Sequence, residues 1–365
     1  MRKKLLLLFM LGFLVGSVQT ATAQIDNIGE ILRSGTADAN LLLGEYIRPY
    51  SNGFGADLNT GWNTRAKPYR TLAFDLRVSA AAAFVPNSDQ RFDVRSLPLQ
   101  EVEVFSTNSI TPTAAGSDRS TGVIIGQKFQ DPITGNEETL FEFEMPSGSG
   151  FSLAPAPMIQ ATVGLIRDTE VALRWVPTIS VPDTDARVDM IGFGIKHGIN
   201  QYIPGGSLLP IDLAIQYGYT RFDLEVDLDE RPDGDPTIRN DFDNSEWDGQ
   251  QVDIESSGYT LNLLVGKNFP IFSVFGGVGI QSSNTTVVSK GNYPLVVPNE
   301  DAGPGDPRSR AIESLSEPVN LDLDGSNSVH ALAGFRVRLA ILSISGSYTI
   351  SDYPVANVSV GFAFR

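Results

Sequence analysis

The chain has 365 residues, of which 41% are hydrophobic and 19% charged, and its formal net charge at pH 7 is −16. It contains no cysteine and two histidines, which excludes a disulfide framework, a thiolate metal site, a cysteine nucleophile and a lipid-modified N-terminal cysteine. The acidic balance argues against nucleic acid as a partner, because binding to phosphates needs clustered lysines and arginines.

The N-terminus has the three parts of a secretory signal peptide. Basic residues occupy 2–4, an apolar stretch of eleven residues covers 5–15, and Ala21-Thr22-Ala23 gives the small-x-small cleavage pattern. The apolar stretch is too short to cross a bilayer as a helix. We therefore expect residues 1–23 to be a signal peptide that is removed on export.

From about residue 69 the dominant pattern is the alternation of apolar and polar side chains. It is clearest at 211–219 and 358–364, where large apolar residues alternate with Ser, Thr, Asn, Gln, Gly and Ala. An apolar face opposite a face of small and polar residues is typical of a transmembrane barrel, with lipid outside and a polar lumen. Thirteen candidate strands, together with the even strand numbers of bacterial barrels, predict an all-β, antiparallel barrel of 12 or 14 strands. The rival interpretation is a soluble, secreted β-protein.

The connections between the candidate strands also fit a barrel. Short connections lie near residues 168, 269 and 339, whereas long ones cover about 226–250 and 290–318. Short periplasmic turns and long outer loops are the usual arrangement in outer-membrane barrels. We therefore assign residues 69–365 to the barrel and the long connections to its outer end.

Residues 24–68 differ from the rest of the chain. Asp38 is a candidate N-cap, Leu42 and Tyr46 form an apolar i,i+4 pair, and Pro49 predicts the end of a short helix. A helix that precedes a barrel is expected to lie in the lumen or the periplasm. We expect this helix and the irregular segment after it to plug the lumen.

The strongest concentration of acidic residues lies in a predicted outer loop and its stems. Residues 223–255 hold thirteen Asp or Glu and two Arg, which leaves a net charge of −11. Asp227, Asp229, Asp233 and Asp235 are candidate ligands for a loosely bound Ca²⁺, although their spacing departs from that of an EF-hand. The alternative is a solvated loop that repels its neighbours. We expect no other metal or cofactor.

Four polar residues are predicted to face the lumen. Glu170 and Arg174 lie four residues apart on one strand, and Asp212 and Gln216 occupy the polar face of another. They could form a polar constriction for a solute, or they could fill and stiffen the lumen by ion pairing.

The two histidines, His197 and His330, stand alone in predicted strands. A Ser–His–Asp hydrolase can be assembled from distant parts of a chain, but no serine elbow or His–Glu pair accompanies either histidine. We therefore expect no catalytic residues and no enzymatic activity.

Several segments resemble an uncharacterised family of Bacteroidetes outer-membrane barrels. The resemblance lies in residues 42–59, 163–177, 192–197 and 209–220. The arrangement of a helical segment before a barrel is also similar to that of the long-chain fatty-acid transporter class. Outer-membrane proteins usually end on an aromatic residue that the insertion machinery recognises, and here Phe364 is followed by Arg365.

These observations predict a protein of the outer membrane of a Gram-negative bacterium, with outer-membrane lipid and the insertion machinery as partners. The favoured function is a channel or transporter for a small solute, which can be hydrophobic. The first alternative is a structural or partner-binding barrel that uses its acidic outer loops. The second alternative is an outer-membrane enzyme.

Overall fold

The computed structural model describes residues 31, 34–130, 135–180, 185–232, 234–299, 301–302, 308–326 and 328–364. The predicted signal peptide, 1–23, and the candidate ligand Asp233 lie outside the described residues.

Ten of the described strands form a closed antiparallel barrel. They are β1 (Phe74–Phe84), β2 (Leu153–Leu165), β3 (Thr169–Ser180), β4 (Ala186–Gly198), β5 (Asp212–Asp227), β6 (Gln251–Asn268), β7 (Phe272–Lys290), β8 (Ser328–Leu339), β9 (Leu342–Ile350) and β10 (Val355–Phe364). Each strand pairs with the next, and β10 pairs with β1, from Phe74 opposite Phe364 to Ala83 opposite Val355. Because the ends of the sheet are joined, none of these ten strands is a free edge strand.

The expectation of 12 or 14 barrel strands is therefore wrong. The candidate strands near 98–105, 121–129 and 137–145 lie in the outer connection between β1 and β2, where they pair with one another. A sheet that covers an apolar core has the same period of two as a barrel wall, so the period cannot separate them. The acidic residues on the exposed side of 137–144 are the feature that distinguishes this sheet from a lipid-facing wall.

Along the wall strands the large apolar side chains point outward and the small or polar ones point inward. Phe193, Leu261 and Val360 are exposed on the outer face, whereas Thr260 and Ser359 are buried in the lumen. Antiparallel pairing brings outward residues of neighbouring strands together, so the apolar side chains form a continuous band around the barrel. Within the described residues, no helix is long and apolar enough to cross a membrane.

The two ends of the barrel differ in their connections. The inner end, where the chain finishes, has tight turns after β2, β6 and β8, and a longer connection, 199–211, with the 3-10 helices Asn200–Tyr202 and Gly206–Leu208. Arg167, Asp168 and Ala340 adopt positive φ values in these turns. The long connections all lie at the opposite, outer end.

The outer connections fold into a cap. Its short strands form three small sheets and one extension of β7. Arg91–Asp93 pairs with Ile110–Pro112. Ile124–Gln130 pairs with both Glu103–Val104 and Glu137–Glu144, and Arg310–Ser316 pairs with both Ile238–Arg239 and Asn292–Pro298. Asn320–Asp324 pairs with the outer half of β7. Its 3-10 helices are Asn87–Gln90, Val94–Ser96 and Asn244–Trp247. Ile125, Phe143, Tyr293 and Leu321 belong to one apolar core in this cap.

A single long helix, α1 (Gly35–Asn59), begins in the cap and continues into the barrel. The expected start at Asp38 and end at Pro49 are both wrong, because the helix begins after Ser34 and continues through Pro49 for ten further residues. Proline removes one backbone donor, but the second half of α1 is enclosed by the barrel wall, and that packing offsets the loss.

Candidate functional site in the plugged lumen

The plug consists of α1 and the segment that follows it, residues 35–73. It runs from the cap to the inner end and joins β1 there. Asn59 Nδ2 donates to the carbonyl oxygen of Ser282 at 2.9 Å, halfway along β7. The Trp62 ring lies against Gly194 and Gly218, where a Cβ atom would come within 3 Å of the indole. These two glycines give the indole its space in the wall.

The outer end of the plug is held by a buried carboxylate. Asp38 accepts hydrogen bonds from the backbone N–H groups of Gln100 at 2.8 Å, Glu101 at 2.7 Å and Val102 at 2.9 Å. Three backbone donors stabilise the charged form of a buried carboxylate. Asp38 therefore ties the start of α1 to the cap, instead of capping the helix as the sequence predicted.

Arg174 of β3 holds the plug in the middle of the lumen. Its guanidinium stacks on the Trp62 ring, 3.6 Å from the ring centroid, and donates to Gln160 Oε1 at 3.2 Å. It also donates to the carbonyl oxygens of Leu58, at 2.8 Å, and of Thr60. A cation therefore satisfies carbonyl groups that the end of α1 leaves unpaired.

The inner part of the plug is held by an ion pair. Lys196 Nζ lies 2.8 Å from the Glu170 carboxylate and donates to the carbonyl oxygen of Arg65 at 2.9 Å. The Glu170 carboxylate also accepts from the backbone N–H of Tyr69 at 2.7 Å. Glu170 therefore pairs with a lysine on the neighbouring strand and not with Arg174, which is four residues further along β3.

A second ionic group lies on β1 and β8. Asp75 contacts Arg77 at 3.6 Å and Arg336 at 3.1 Å. Arg77 donates to the carbonyl oxygens of Gly61 at 3.0 Å and Trp62 at 2.7 Å. Asp75 and Arg77 were not among the predicted site residues, although they occupy the polar face of β1 and could have been found from that alternation.

The two predicted residues of β5 lie at different depths. Gln216 Oε1 accepts from Asn262 Nδ2 at 2.6 Å and from Asn63 Nδ2 at 3.2 Å, which joins two wall strands to the plug. Asp212 is half-buried at the inner mouth, where it lies 3.3 Å from Lys67 Nζ. The structure thus places Glu170, Arg174 and Gln216 around the plug and Asp212 below them.

A cavity of about 20 Å³ remains between the plug and the wall, lined by residues 59–63 and by Asn262, Phe275 and His330. That volume holds about one water molecule. Trp62 Nε1, Asn63 Oδ1 and His330 Nδ1 are buried without a hydrogen-bond partner in the protein. The cavity is polar, and it is far narrower than a diffusion pore.

On the side of β1 to β5, between Arg174 and the cap, the lumen is apolar. We call this part the apolar chamber, and its side chains are Phe54 and Leu58 of the plug with Met158, Val176, Met190 and Phe222 of the wall. Phe54 packs edge-on against Phe222, with the ring centroids 4.6 Å apart. Phe54, Val176 and Phe222 are only partly buried although they point into the lumen.

Small residues bring the plug close to the wall beside this chamber. Ala81, Ala83, Ala154 and Ala156 are buried there, and a Cβ atom on Gly53 would lie 3.0 Å from that of Ala154. The sequence reasoning did not find the chamber, because apolar inward residues also fit a structural core. The alanines at 80–83 and at 154 and 156 are the sequence feature from which this part of the lumen could have been predicted.

Three of the four candidate Ca²⁺ ligands, Asp227, Asp229 and Asp235, lie within the described residues. Each of the three described carboxylates pairs with an arginine: Asp227 with Arg187, Asp229 with Arg231, and Asp235 with Arg310. In the part of the chain that the structure describes, no group of three His, Cys, Asp or Glu side chains could hold a metal.

The histidines lie in different surroundings. His197 Nδ1 lies 2.8 Å from Thr169 Oγ1 and its Nε2 lies 3.0 Å from the Tyr202 hydroxyl, at the inner end. His330 Nε2 lies 2.6 Å from Asn262 Oδ1 in the lumen. Each ring serves to join neighbouring segments of the chain.

A closed antiparallel barrel with an apolar outer face and a lumen filled by its own N-terminal segment defines a plugged β-barrel protein of the transmembrane type. The chain belongs to the family of unknown function DUF6588, whose profile matches residues 1–364. No curated protein sequence matches it.

Two solved structures are among those to which the chain is similar. The translocator domain of the autotransporter NalP from Neisseria meningitidis is 13% identical, with 87% of this chain and 93% of that chain covered and a TM-score of 0.28. The Yersinia pestis outer membrane protein Ail in a phospholipid bilayer nanodisc is 14% identical, with 54% and 98% covered and a TM-score of 0.23.

Proposed function

We propose that this protein is an outer-membrane transporter for a small hydrophobic solute and that the plug must shift for the solute to pass. The location is supported by the apolar band around the barrel, since such a face is stable only against lipid or another apolar surface. The proposal assigns the chain no catalytic reaction and no bound cofactor.

The observation that carries the proposal is the apolar chamber. Most of the lumen is lined by hydrogen-bonded polar groups, but here an apolar cluster packs between plug and wall, and Phe54, Val176 and Phe222 within it are only partly buried. Apolar side chains bordered by a few polar groups are the usual lining of a site for a hydrophobic ligand. Arg174 and Gln160 close this chamber on its inner side with a polar layer.

The anchors of the plug indicate how passage is controlled. Arg174 and Lys196 hold the plug through its backbone carbonyl groups, and such hydrogen bonds can be exchanged for bonds to water. Asp38 holds α1 to the cap at the outer end. A shift of the segment after α1 would therefore open the inner half of the lumen while the cap keeps its hold on the helix.

We expect Phe222→Gln to lower the uptake of a fluorescently labelled dodecanoate by proteoliposomes, because it places an amide in the apolar chamber. Tyr219→Gln is the matched control, since that aromatic residue lies on the same strand but points outward. Uptake that is unchanged in Phe222→Gln, or equally reduced in both variants, would contradict the proposal.

The alternative function is a partner-binding barrel, and the folded cap favours it. The outer connections share one apolar core with the start of α1, including Leu42, Phe143 and Tyr293. A structured outer surface is what a partner would recognise. Normal folding with no uptake of the labelled dodecanoate by the unaltered protein would favour this alternative.

The cap should open at alkaline pH. Burial, with a smaller contribution from Glu230, raises the pKa of Tyr293 to about 12 from an ordinary value of about 10. The folded cap thus favours the neutral phenol, so this contribution to stability is complete below about pH 10 and is lost as the pH rises to about 12.

We expect Tyr293→Phe to shift the opening of the cap to higher pH, because phenylalanine cannot ionise. Trp247 is buried in the cap beside Phe242, and its fluorescence reports the transition. Tyr217→Phe, which alters an outward-facing wall residue, is the control. An identical alkaline transition in all three proteins would show that Tyr293 does not contribute.

A further inference from the structure

The barrel wall has a seam between β2 and β3. β2 pairs with β1 from Leu153 to Val163, but it pairs with β3 only from Gln160 to Leu165. Residues 153–159 of β2 and 175–180 of β3 therefore run beside each other without ladder pairs, and we call these two stretches the seam. All other neighbouring wall strands are paired over at least eight residues.

The hydrogen bonds between β2 and β1 show which residues of β2 point their backbone N–H and C=O groups toward β1 and which point them toward β3. Gly164 N–H donates to the carbonyl oxygen of Ala73, and the carbonyl oxygen of Ser152 accepts from Val85 N–H. Even-numbered residues of β2 therefore bond toward β1. Since successive residues of a strand point their backbone groups to opposite sides, odd-numbered residues of β2 point theirs toward β3.

Prolines occupy the positions that would have to donate across the seam. Pro155 and Pro157 are odd-numbered residues of β2 and have no N–H group. Pro177 of β3 lies beyond the last ladder pair with β2, at an irregularity where the pairing of β3 with β4 shifts register between Val176 and Ile179. The missing donors on β2 and this irregularity on β3 both interrupt the ladder, so the sequence itself leaves the seam unpaired.

The seam begins within the depth of a membrane. Six residue pairs join β2 and β3 at the inner end. At roughly 3.3 Å per residue and a strand tilt of about 40°, they account for about 15 Å of height, whereas the apolar band of such barrels is about 25 Å tall. The outward residues Pro155, Pro157 and Ile159 are apolar, as contact with lipid requires.

The apolar chamber lies directly behind the seam. Met158, which is fully buried, and Val176, which is partly exposed, point into it from the two edges of the seam. Arg174 and Gln160 form the first joined pair below the seam. The side chains behind the seam are thus uncharged and apolar, and a polar layer lies directly below them.

We propose that the seam is a lateral port through which one unbranched hydrocarbon chain of a single-chain amphiphile passes between the outer leaflet and the apolar chamber. This proposal rests on the proposed transport function and names its substrate class. Lipid is what faces the barrel wall at this depth, and separation of two stretches that no ladder holds together would admit one linear chain. The polar layer at Arg174 stops the chain from sliding further without movement of the plug.

Because the protein has no cysteine, single cysteines test the port without background labelling. We expect Val176→Cys in proteoliposomes to react with a hexadecyl maleimide dissolved in the bilayer about tenfold faster than Thr162→Cys, whose inward position lies behind the joined part of the wall. A charged, water-soluble maleimide should not show this preference. Equal rates at the two positions, or a greater preference for the water-soluble reagent, would overturn the port.

A second variant tests the role of the prolines. Pro155→Val with Pro157→Val restores the two N–H groups of β2 that point toward β3, so labelling of Val176→Cys should fall toward the rate of Thr162→Cys. Heat-modifiable gel migration checks that this variant is folded. Undiminished labelling of a folded variant would overturn the account of the seam, and the comparison of single cysteines stands if the variant does not fold.

The labelling experiment separates the port from the transport function. If Val176→Cys is labelled as expected while Phe222→Gln leaves dodecanoate uptake unchanged, the port is supported and the proposed function fails. If uptake depends on Phe222 while labelling does not favour Val176→Cys, the transport function is supported and the port fails.

Discussion

Deletion of residues 35–66, which comprise α1 and the plug segment held by Arg174 and Lys196, is expected to convert the barrel into an open pore with a large rise in single-channel conductance. The helix fills the outer half of the lumen and residues 60–66 fill the inner half, and their removal leaves an interior lined largely by small and polar side chains. Barrel diameter grows with strand number, and a ten-stranded wall encloses more space than the eight-stranded barrels that side chains can fill. The measurement is conductance in planar bilayers.

Asp38→Asn is the control for this deletion. It keeps α1 in the lumen but weakens the tie to Gln100, Glu101 and Val102, so its conductance should remain close to that of the unaltered protein. Heat-modifiable migration verifies that each variant forms a barrel. A folded deletion variant with unchanged conductance would contradict the assignment of residues 35–73 as a plug.

Replacement of Arg174 by leucine is expected to lower the free energy of unfolding by roughly 3–5 kcal/mol. The change leaves the carbonyl oxygen of Thr60 and Gln160 Oε1 without the guanidinium donor, and it leaves the Thr220 hydroxyl as the side-chain donor to the carbonyl oxygen of Leu58. It also removes the cation that stacks on Trp62. The measurement is the midpoint of heat-induced loss of the folded gel band.

Arg338→Leu is the matched control, because Arg338 also lies on a wall strand but is exposed. Its effect should stay within about 0.5 kcal/mol. Arg174→Lys should fall between the two, since lysine keeps the charge but has neither the planar fork nor the stacking surface of arginine. Equal stability of Arg174→Leu and Arg338→Leu would show that the guanidinium does not hold the plug.

The wall was predictable from local sequence because its period of two is set by lipid on one side and polar groups on the other. Ten of the thirteen candidate strands are wall strands. The three others, near 98–105, 121–129 and 137–145, have the same period because they cover the apolar core of the cap. Alternation of apolar and polar residues shows that one face of a strand is covered, but it does not show whether lipid or protein covers that face.

The path of the plug was not predictable at residue level. Pro49 predicts the end of an isolated helix, but enclosure by the wall lets α1 continue to Asn59. Similarly, Glu170 and Arg174 share one face of a strand, yet Glu170 pairs with Lys196 across the ladder. Partners on a neighbouring strand depend on register, which no local pattern contains.

The effect of the prolines at the seam could be recognised only once the register of the wall strands was known. Pro155, Pro157 and Pro177 are visible in the sequence, and each reduces the tendency to form a central strand. Only the pairing of Gln160 with Arg174 shows that the three prolines lie where the ladder between β2 and β3 ends, beside Met158, Val176 and the rest of the apolar chamber.

The most direct test of the central claim is mass spectrometry of the intact protein extracted from its own membrane. We predict that the unaltered protein carries a bound single-chain amphiphile. This ligand should be lost in Phe222→Gln and retained in Tyr219→Gln. An unaltered protein that carries no hydrocarbon ligand, or equal occupancy in Phe222→Gln, would contradict the claim that the apolar chamber receives a hydrophobic solute.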